Sequence, residues 1–224
     1  PFDHPIWVVY SSGTTGLPKP IVHGHGGVML EALKLSTLHN DVGPSVMQGD
    51  RFHWYSSTGW IMWNNQWMAL GQGATVCLYD GAPNHPDMLA LWRFAAEEKL
   101  TYFGAGAAFF SGCLKAGITP PREAVDLSHL RSLGSTGSPL SADAYDWIYR
   151  EVKEDVWLAP ISGGTDLAGA FVLGHPGMPV RAGEMQCRAL GNAVRAYDPN
   201  GNELVGEVGE LVCTQPLPSM PLFF

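Results

Sequence analysis

Apolar and polar residues alternate along this chain in blocks that predict strands and helices in turn. Short runs of β-branched and aromatic residues, bounded by glycine, proline or polar residues, predict strands at 6–10, 21–23, 51–55, 74–79, 101–103, 130–133 and 156–161. Longer segments of mixed polarity predict helices at 26–38, 61–70, 86–99, 107–116 and 141–152. This alternation predicts an α/β fold with a largely parallel sheet flanked by helices.

Several of these elements carry local signals for burial and for their ends. The apolar segment 6–10 predicts a buried strand. Gly117 is placed to end one helix, and Ser141 is placed to cap the next one. The helix at 26–38 is expected to bury the side that holds Val28, Met29, Leu33 and Leu38.

The pattern changes near residue 188. Two strand-like segments, 193–197 and 209–214, follow one another around a tight turn at 198–201. We interpret them as the start of a small antiparallel β unit. The predicted organisation is therefore an α/β subdomain over 1–187, followed by the beginning of an antiparallel β subdomain over 188–224.

Polar strings follow several of the predicted strands, at 11–19, 56–59, 134–138 and 162–166. In open parallel sheets, ligands bind beyond the carboxyl ends of the strands. We therefore expect these four strings to build the functional site.

The string from Ser11 to Lys19 has the chemistry of a phosphate loop. It holds four hydroxyl side chains, two glycines and a lysine. Glycine lets backbone N–H groups approach a phosphate, hydroxyls donate hydrogen bonds, and lysine adds positive charge. On composition alone, the string is also typical of a solvated turn. It lacks the Gly-Lys-Ser/Thr ending of a Walker A loop, and the later glycines fail the dinucleotide pattern because position 29 is Met.

Composition excludes several classes of partner. The 224 residues are 46% hydrophobic and carry a net charge of −8, which indicates one globular core and argues against nucleic acid or an anionic membrane surface. No apolar run reaches the length of a membrane span. Four isolated cysteines indicate reduced thiols and a cytoplasmic location. His23 and His25 lack an accompanying ligand cluster, so they do not predict a metal site.

Residues 11–19 match the pattern Thr/Ser-Ser-Gly-[Ser/Thr]-[Ser/Thr]-Gly-x-Pro-Lys at every position, and Pro20 stands where that pattern ends in glycine. The chain thereby resembles the adenylate-forming superfamily, which includes acyl-CoA synthetases, luciferases and adenylation domains. The resemblance implies that a carboxylate attacks the α-phosphate of ATP, that pyrophosphate leaves, and that CoA then displaces AMP. It implies ATP and Mg²⁺ as cofactors, with CoA as a co-substrate.

The resemblance also assigns roles to two of the strings. The phosphate cradle comprises Ser11, Ser12, Gly13, Thr14, Thr15, Gly16 and Lys19, of which Thr14, Thr15 and Lys19 are expected to contact the β- and γ-phosphates. The string 162–166 resembles the aromatic-Gly-x-Thr-Glu motif, so Thr165 is expected to bind the α-phosphate and Asp166 to hold Mg²⁺. Ser162, Gly163 and Gly164 complete this ATP-binding string, which on its residues alone also fits a Gly-Gly turn. The expected catalytic residues are Lys19, Thr165 and Asp166.

Two further strings are expected to complete the site. Gly137, Ser138 and Pro139 resemble the segment that lines the adenine in the acetyl-CoA synthetase branch, and they also fit a loop that caps the following helix. The segment 58–63 resembles the Gly-Trp segment beside the acyl and CoA tunnel, although its aromatic residues also fit a core. The expected acid pocket consists of Trp60, Ile61, Met62, Thr136 and Gly163.

The pocket residues predict an acid larger than acetate. Gly163 stands where the acetate enzymes have a tryptophan that closes the pocket, and Thr136 adds a hydroxyl where they have valine. A larger pocket with an extra donor suits a keto acid. Together with the strings 23–27 and 181–188, these residues resemble the acetoacetate-activating branch of the family. We therefore expect acetoacetate, ATP and CoA as small-molecule substrates.

Two other functions fit the same residues: a ligase for another short or medium-chain acid, and a non-catalytic nucleotide-binding module. The chain starts at Pro1 without Met and ends on the apolar run 221–224, so we expect a piece of a longer protein. The family's ribose-binding Asp, hinge and C-terminal domain lie beyond these residues. The C-terminal domain is thus the expected partner, and the piece alone is expected to be inactive.

Overall fold

A computed structural model of the chain describes residues 1–11, 16–43 and 49–224. Its strands, in chain order, are β1 (Pro5–Ser11), β2 (Lys19–Gly24), β3 (Arg51–Trp54), β4 (Thr75–Val76), β5 (Tyr102–Gly106), β6 (Ser132–Thr136), β7 (Trp157–Pro160), β8 (Ser162–Gly164), β9 (Gly169–Leu173), β10 (Cys187–Arg188), β11 (Val194–Tyr197), β12 (Glu203–Leu204) and β13 (Glu210–Cys213). Its helices are α1 (His25–Leu33), α2 (Ile61–Gly71), α3 (Ala90–Glu97), α4 (Ala107–Ala116), α5 (Pro121–Ala124) and α6 (Ala142–Trp147). Wider π-helical turns extend α1 over Lys34–His39 and α6 over Ile148–Val152.

The centre of the fold is a five-stranded parallel sheet in the order β4-β3-β5-β6-β7. Adjacent residues of β5 face opposite sides: Phe103 joins the core formed with α3, α4 and α6, while Tyr102 packs with Phe52 and Trp54 on the other side. Burial on both faces is typical of a parallel sheet covered by helices. The predicted α/β fold with a largely parallel sheet is therefore confirmed.

One buried tryptophan explains two glycines in the central strands. The ring of Trp54 lies so close to β5 and β6 that a Cβ at Gly104 would fall 2.1 Å from it, and a Cβ at Gly134 would fall 2.4 Å from it. Glycine at both positions lets the indole lie flat against the sheet. The strand β6 ends at Thr136, which belongs to the polar string 134–138.

Three small antiparallel sheets surround the central one. β1 pairs with β2, β9 lies between β8 and β10, and β11 lies between β12 and β13. The last of these sheets is the predicted antiparallel unit, and its turn is closed by a hydrogen bond from the Gly201 N–H to the Asp198 carbonyl. The division of the chain at 187/188 stays a prediction.

The segment 6–10 forms a strand, but the expectation that it is buried is wrong. β1 pairs with β2 alone, outside the central sheet. Ile6 and Trp7 pack against a small cluster with α1 and α2, whereas Val8 and Tyr10 are each more than half exposed. The two-stranded ribbon of β1 and β2 packs against the rest of the fold on one face, so only some of the apolar residues of β1 are covered.

The burial predicted for the helix at 26–38 is also largely wrong. Val28 is fully buried, but Met29, Leu33 and Leu38 are about half exposed. The buried side of α1 carries small and polar residues instead, and a Cβ at Gly27 would lie 1.8 Å from the Pro218 carbonyl oxygen. This face of α1 is covered, rather than the most apolar one, because the segment at Pro218 approaches the helix closely at Gly27.

The short strands β8, β9, β10 and β12 were not predicted from the sequence, and other differences concern element ends. The strand predicted at 74–79 covers Thr75–Val76 alone, and the helix predicted at 86–99 begins at Ala90. Two predicted ends are confirmed: Gly117 closes α4 in the left-handed conformation, with φ of 57°, and Ser141 caps α6 by accepting a hydrogen bond from the Ala144 N–H.

Two further observations concern the helices and the cysteines. In the described parts of the chain, no helix combines the length and the apolar character needed to cross a membrane. All four cysteines are free thiols, and burial raises the pKa of Cys113 to about 11.

Candidate functional site

A small cavity lies between α2, the end of β6 and the β8–β9 sheet. Its volume is about 110 Å³. The five residues expected to form the acid pocket all line it: Trp60, Ile61, Met62, Thr136 and Gly163. Gly164 and Thr165 of the string 162–166 line it as well.

A larger groove of about 390 Å³ lies beside the small cavity. The predicted adenine segment and the string 162–166 face each other across it, through Gly137, Ser138, Pro139, Ser162 and Gly163. Gly137 adopts a φ of 88°, which favours glycine, and a Cβ there would lie 3.3 Å from the Trp60 ring.

The small cavity and the larger groove share one wall. Four residues line both of them: Trp60, Thr136, Ile161 and Gly163. A molecule in the small cavity and a molecule in the larger groove can therefore meet at this wall. Such a meeting is what a reaction between two bound substrates requires.

The hydroxyl of Thr136 differs from the expectation. It donates a hydrogen bond to the backbone carbonyl of Ile161 at 2.7 Å. A hydroxyl carries one hydrogen, so Thr136 has no further donor to offer the cavity and presents lone pairs only. The expected extra donor is therefore wrong for Thr136, although its place in the cavity wall matches the expectation.

Gly163 is required by backbone packing as well as by the open space beside it. A Cβ at this position would lie 2.3 Å from the carbonyl oxygen of Gly169 on the neighbouring strand β9. The register of β8 and β9 shifts between Ser162 and Gly163, which brings the two backbones together there. A side chain of any size would need the sheet to move.

Thr165 and Asp166 lie in the turn that joins β8 to β9. Thr165 is half-buried and lines the small cavity, whereas Asp166 is exposed and lines a separate groove with residues 210–216. The part of the chain described here holds no cluster of three or more His, Cys, Asp or Glu side chains that would bind a metal alone. One exposed carboxylate fits Mg²⁺, which keeps several waters and takes one or two carboxylates plus phosphate oxygens.

Two residues of the predicted phosphate cradle, Ser11 and Lys19, lie at the end of the β1–β2 hairpin. Ser12, Gly13, Thr14 and Thr15 are outside the described residues. Ser11 and Lys19 are cross-strand partners at the end of the hairpin, and Gly16 and Lys19 are exposed. Contrary to the expectation, this string does not follow a strand of the central sheet.

A buried histidine connects this hairpin to the turn at Asp166. Trp7 Nε1 donates to His23 Nδ1 at 2.9 Å, and His23 Nε2 lies 2.8 Å from the Asp166 carbonyl oxygen. Burial lowers the pKa of His23, against an opposing contribution from the Asp166 carbonyl. The ring is thus held neutral between the two motifs. Among the residues that the structure describes, neither His23 nor His25 belongs to a group of three or more potential metal ligands.

The structure adds residues that the sequence did not indicate. Asn40 and Asn65 are buried and line the small cavity, as do Leu35 and Met68. Tyr145 lines the larger groove, and its hydroxyl donates to the Glu184 carbonyl at 2.9 Å. Glu184 and Met185 line the groove too, and they belong to the string 181–188, to which the sequence assigned no role in the site. In the sequence both asparagines stand among other polar residues, at 39–41 and 64–66, so no local signal singles them out.

Comparison with known proteins identifies the family of this chain. A family model described as "AMP-binding enzyme" matches residues 1–220. The chain is 47% identical over 226 residues to the acetoacetyl-coenzyme A synthetase of Rhizobium meliloti (strain 1021), and 42% identical over 224 residues to the acetoacetyl-CoA synthetase of Gallus gallus. These alignments cover 100% of this chain and 34% and 33% of those proteins, respectively.

A solved structure is also similar to this chain. The acetoacetyl-CoA synthetase from Streptomyces lividans superposes with a TM-score of 0.91 and 48% sequence identity, over 99% of this chain and 34% of that one. The chain therefore spans about a third of the length of the proteins it matches. From the match over residues 1–220, the chain belongs to the AMP-binding enzyme family.

Proposed function

We propose that this chain supplies the nucleotide- and acid-binding part of an acetoacetate–CoA ligase. The overall reaction joins acetoacetate to CoA at the expense of ATP and releases AMP and pyrophosphate. Membership of the AMP-binding enzyme family and the names of the similar proteins support this assignment. The relatives are about three times as long, so the activity belongs to the full-length protein.

The shared wall between the small cavity and the larger groove carries the proposal. Acetoacetate bound in the small cavity would present its carboxylate at the shared wall beside Gly163, where the groove begins. A carboxylate oxygen attacks the α-phosphorus of ATP, the bond from that phosphorus to the β-phosphate oxygen breaks, and pyrophosphate leaves. Catalysis of this type depends mainly on position and on charge stabilisation, which two adjoining sites can supply.

The groove accepts the adenylate part of ATP in this proposal. Gly137, Ser138 and Pro139 form one side of the adenine site, and Ser162 forms the opposite side. The Thr165 hydroxyl donates to the α-phosphate. The phosphate chain extends towards the β1–β2 hairpin, where Lys19 would balance the charge of the β- and γ-phosphates. Ser11, Gly16 and the proposed contacts of residues 12–15 complete the cradle.

Asp166 is the proposed protein ligand of Mg²⁺. The bound ion would neutralise charge on the phosphate oxygens and on the departing pyrophosphate. Asp166 has the chemistry for this role because it is an exposed carboxylate beside Thr165, with its backbone held by His23. Its side chain is one methylene shorter than the Glu of the family motif.

The polar groups of the small cavity favour a keto acid over a plain fatty acid. Asn65 is buried and lines the cavity. Asn40 also lines the cavity, and its Oδ1 accepts a long hydrogen bond of 3.4 Å from the Tyr102 hydroxyl. A side-chain amide can donate to a keto oxygen, whereas butyrate leaves that amide without a partner. We assign recognition of the keto oxygen to the asparagines, because the Thr136 hydroxyl already donates its hydrogen to the Ile161 carbonyl.

The second half of the reaction needs groups outside this chain. The CoA thiolate attacks the acyl carbon, the bond from that carbon to the phosphate oxygen breaks, and AMP leaves. We assign the tunnel beside Trp60 to CoA and assign the mobile C-terminal domain to the rest of the polypeptide. We also propose a cytoplasmic location, which the four free thiols support.

ATP–pyrophosphate exchange in the full-length protein, with acetoacetate and without CoA, tests the first half-reaction. We expect exchange that requires both acetoacetate and Mg²⁺. Lys19→Ala and Asp166→Asn are each expected to lower the exchange rate by about 10²- to 10³-fold, because each removes charge stabilisation from the phosphates. Lys115→Ala and Asp80→Asn provide matched controls, since both residues are exposed and line neither cavity.

Each alternative function predicts a different outcome of this assay. Exchange that is supported by butyrate or longer acids but not by acetoacetate would indicate a ligase for another acid. A non-catalytic nucleotide-binding module predicts no exchange with any acid. Unchanged exchange in both Lys19→Ala and Asp166→Asn would contradict the assigned roles of those residues.

A further inference from the structure

His23 is enclosed between the two motifs that bracket the proposed phosphate site. Its side chain is fully buried. An indole N–H can only donate, so His23 Nδ1 must accept the hydrogen bond from Trp7, and the ring hydrogen must lie on Nε2. Nε2 then donates to the Asp166 carbonyl. Trp7 therefore selects the tautomer that binds Asp166.

The turn that receives this hydrogen bond is fixed at three successive carbonyls. The Thr165 carbonyl accepts from the Ala168 N–H at 3.3 Å, the Asp166 carbonyl accepts from His23 at 2.8 Å, and the Leu167 carbonyl accepts from Ser219 Oγ at 2.5 Å. Ala168 adopts a φ of 47°, which an alanine rarely occupies. Such a backbone persists only where its surroundings hold it.

His23 also belongs to the hairpin that carries the proposed phosphate cradle. It is the cross-strand partner of Trp7, and Ser11 and Lys19 pair at the end of the same hairpin. Within the ranges 1–11, 16–43 and 49–224, His23 makes the side-chain hydrogen bond that joins this hairpin to the 165–168 turn. Shared apolar packing of Trp7 and Ala168 supports the same contact.

We infer that His23 is a positioning residue, which sets the distance between the hairpin end at Ser11 and Lys19 and the Thr165–Asp166 pair through its hydrogen bonds to Trp7 and to the Asp166 carbonyl. This inference rests on the proposed function, because it assumes that the two motifs hold the same MgATP. It does not depend on which acid is activated. His23 touches no reacting atom; it acts by holding the backbone that presents Asp166 and Thr165.

The test uses MgATP binding to the full-length protein, measured by calorimetry without any acid, together with the kinetics of pyrophosphate release. His23→Phe keeps a ring of similar size but leaves the Asp166 carbonyl and the Trp7 N–H without partners. We expect it to raise the Kd for MgATP about tenfold and to lower kcat by about the same factor. The KM for acetoacetate should stay unchanged. His23→Gln can offer an amide donor to Asp166 and a carbonyl to Trp7, so it should recover most of the loss.

His53→Phe is the matched control. His53 is also a buried histidine, and its Nδ1 donates to the backbone carbonyl of Cys77 at 2.8 Å, away from both motifs. A general loss of packing would affect both variants alike, whereas positioning predicts a raised Kd for MgATP in His23→Phe alone. If His23→Phe fails to fold, Trp7→Phe provides the same test, because it removes the donor that selects the tautomer and should also raise the Kd.

The outcomes separate this inference from the proposed function. A wild-type Kd for MgATP in folded His23→Phe, or in Trp7→Phe, would overturn the inference. An equal rise in His53→Phe would overturn it as well. A protein that binds MgATP as expected, loses affinity in His23→Phe, and activates a different acid would support the inference while contradicting acetoacetate as the substrate.

Discussion

Thr136 donates its hydroxyl hydrogen to the backbone carbonyl of Ile161 across 2.7 Å, at the wall shared by the small cavity and the larger groove. The bond ties the carboxyl end of β6 to the segment that leads from β7 into β8. Thr136 is buried, so this bond is protected from water. The residue therefore contributes to the shape of the wall more than to recognition of the acid.

Thr136→Val tests this interpretation of the hydroxyl. The variant keeps the side-chain shape but leaves the Ile161 carbonyl without its donor, which is expected to cost about 1–3 kcal/mol of stability. The ratio of kcat/KM for acetoacetate to that for butyrate should change by less than about threefold, because no free donor is lost. A fall of two orders of magnitude in that ratio would show that Thr136 recognises the keto oxygen after all. Thermal unfolding and initial rates provide the two measurements.

We expect Asn65 to contribute more than Thr136 to the preference for acetoacetate over butyrate. Asn65→Leu removes a buried amide from the small cavity and replaces it with an apolar side chain of similar size. We expect the kcat/KM ratio of acetoacetate to butyrate to fall by about 10- to 100-fold, because the keto oxygen loses a donor and butyrate no longer leaves an amide unpaired.

The neighbouring residue provides the control for this substitution. Asn64 lies next to Asn65 in α2 but lines a different groove, with Trp63 and Trp67. Asn64→Leu should leave the acetoacetate to butyrate ratio unchanged. Equal ratios in Asn64→Leu and Asn65→Leu would remove Asn65 from the recognition of the acid.

Much of the fold could be predicted because buried parallel strands leave a strong pattern. Phe52, Trp54, Tyr102 and Phe103 lie in short apolar runs that are covered on both faces, and helical segments separate those runs. Caps such as Ser141 and Gly117 act within a single turn, so the sequence identifies them directly. The five residues expected to form the acid pocket line one cavity together, because motif resemblance supplied spatial information that the pattern alone lacks.

The predictions that were wrong or incomplete share one physical cause, which is contact between segments that lie far apart in the sequence. Met29 and Leu33 look like core residues, yet the close approach of Pro218 to Gly27 decides which face of α1 is covered. Likewise, the Tyr145 hydroxyl donates to the Glu184 carbonyl beside the larger groove, a contact between residues 39 positions apart. No local pattern encodes such pairs.

Gly163 is expected to tolerate no side chain. In Gly163→Ala, the added methyl group would lie 2.3 Å from the Gly169 carbonyl oxygen, so β8 and β9 must separate. We expect a loss of about 1–3 kcal/mol in stability, together with a fall in activity, since Thr165 lies two residues further along the chain. The free energy of unfolding and the rate of pyrophosphate release measure both effects.

Gly71→Ala is the matched substitution for this experiment. Gly71 ends α2, and a Cβ there meets nothing within 4 Å. Alanine should stabilise that helix by roughly 0.5–1 kcal/mol. The same stability change in both variants would contradict the close approach of β8 and β9 at Gly163.

The stability of the fold should fall in mild acid because of His53. This ring is buried against Phe94 and Phe103, and burial lowers its pKa from 6.5 to about 4. The unfolded chain therefore binds a proton on His53 between these values while the folded chain does not. The stability is fully present above about pH 6.5 and decreases as the pH falls towards 4, by up to about 3 kcal/mol.

His53→Phe should flatten this part of the pH dependence, because phenylalanine keeps the ring contacts and cannot take a proton. The melting temperature of the full-length protein at a series of pH values between 7 and 4 measures the effect. A variant that loses stability as steeply as the wild type across this range would show that another group causes the decrease.

The central claim is that the small cavity holds acetoacetate next to ATP in the larger groove. A CoA-dependent pyrophosphate-release assay on the full-length protein, with acetoacetate, acetate, butyrate and 3-hydroxybutyrate compared side by side, tests it most directly. The account predicts the highest kcat/KM for acetoacetate, with acetate, which leaves much of the cavity unfilled, well below it. A preference for acetate would contradict both the acid assignment and the role given to the open space at Gly163.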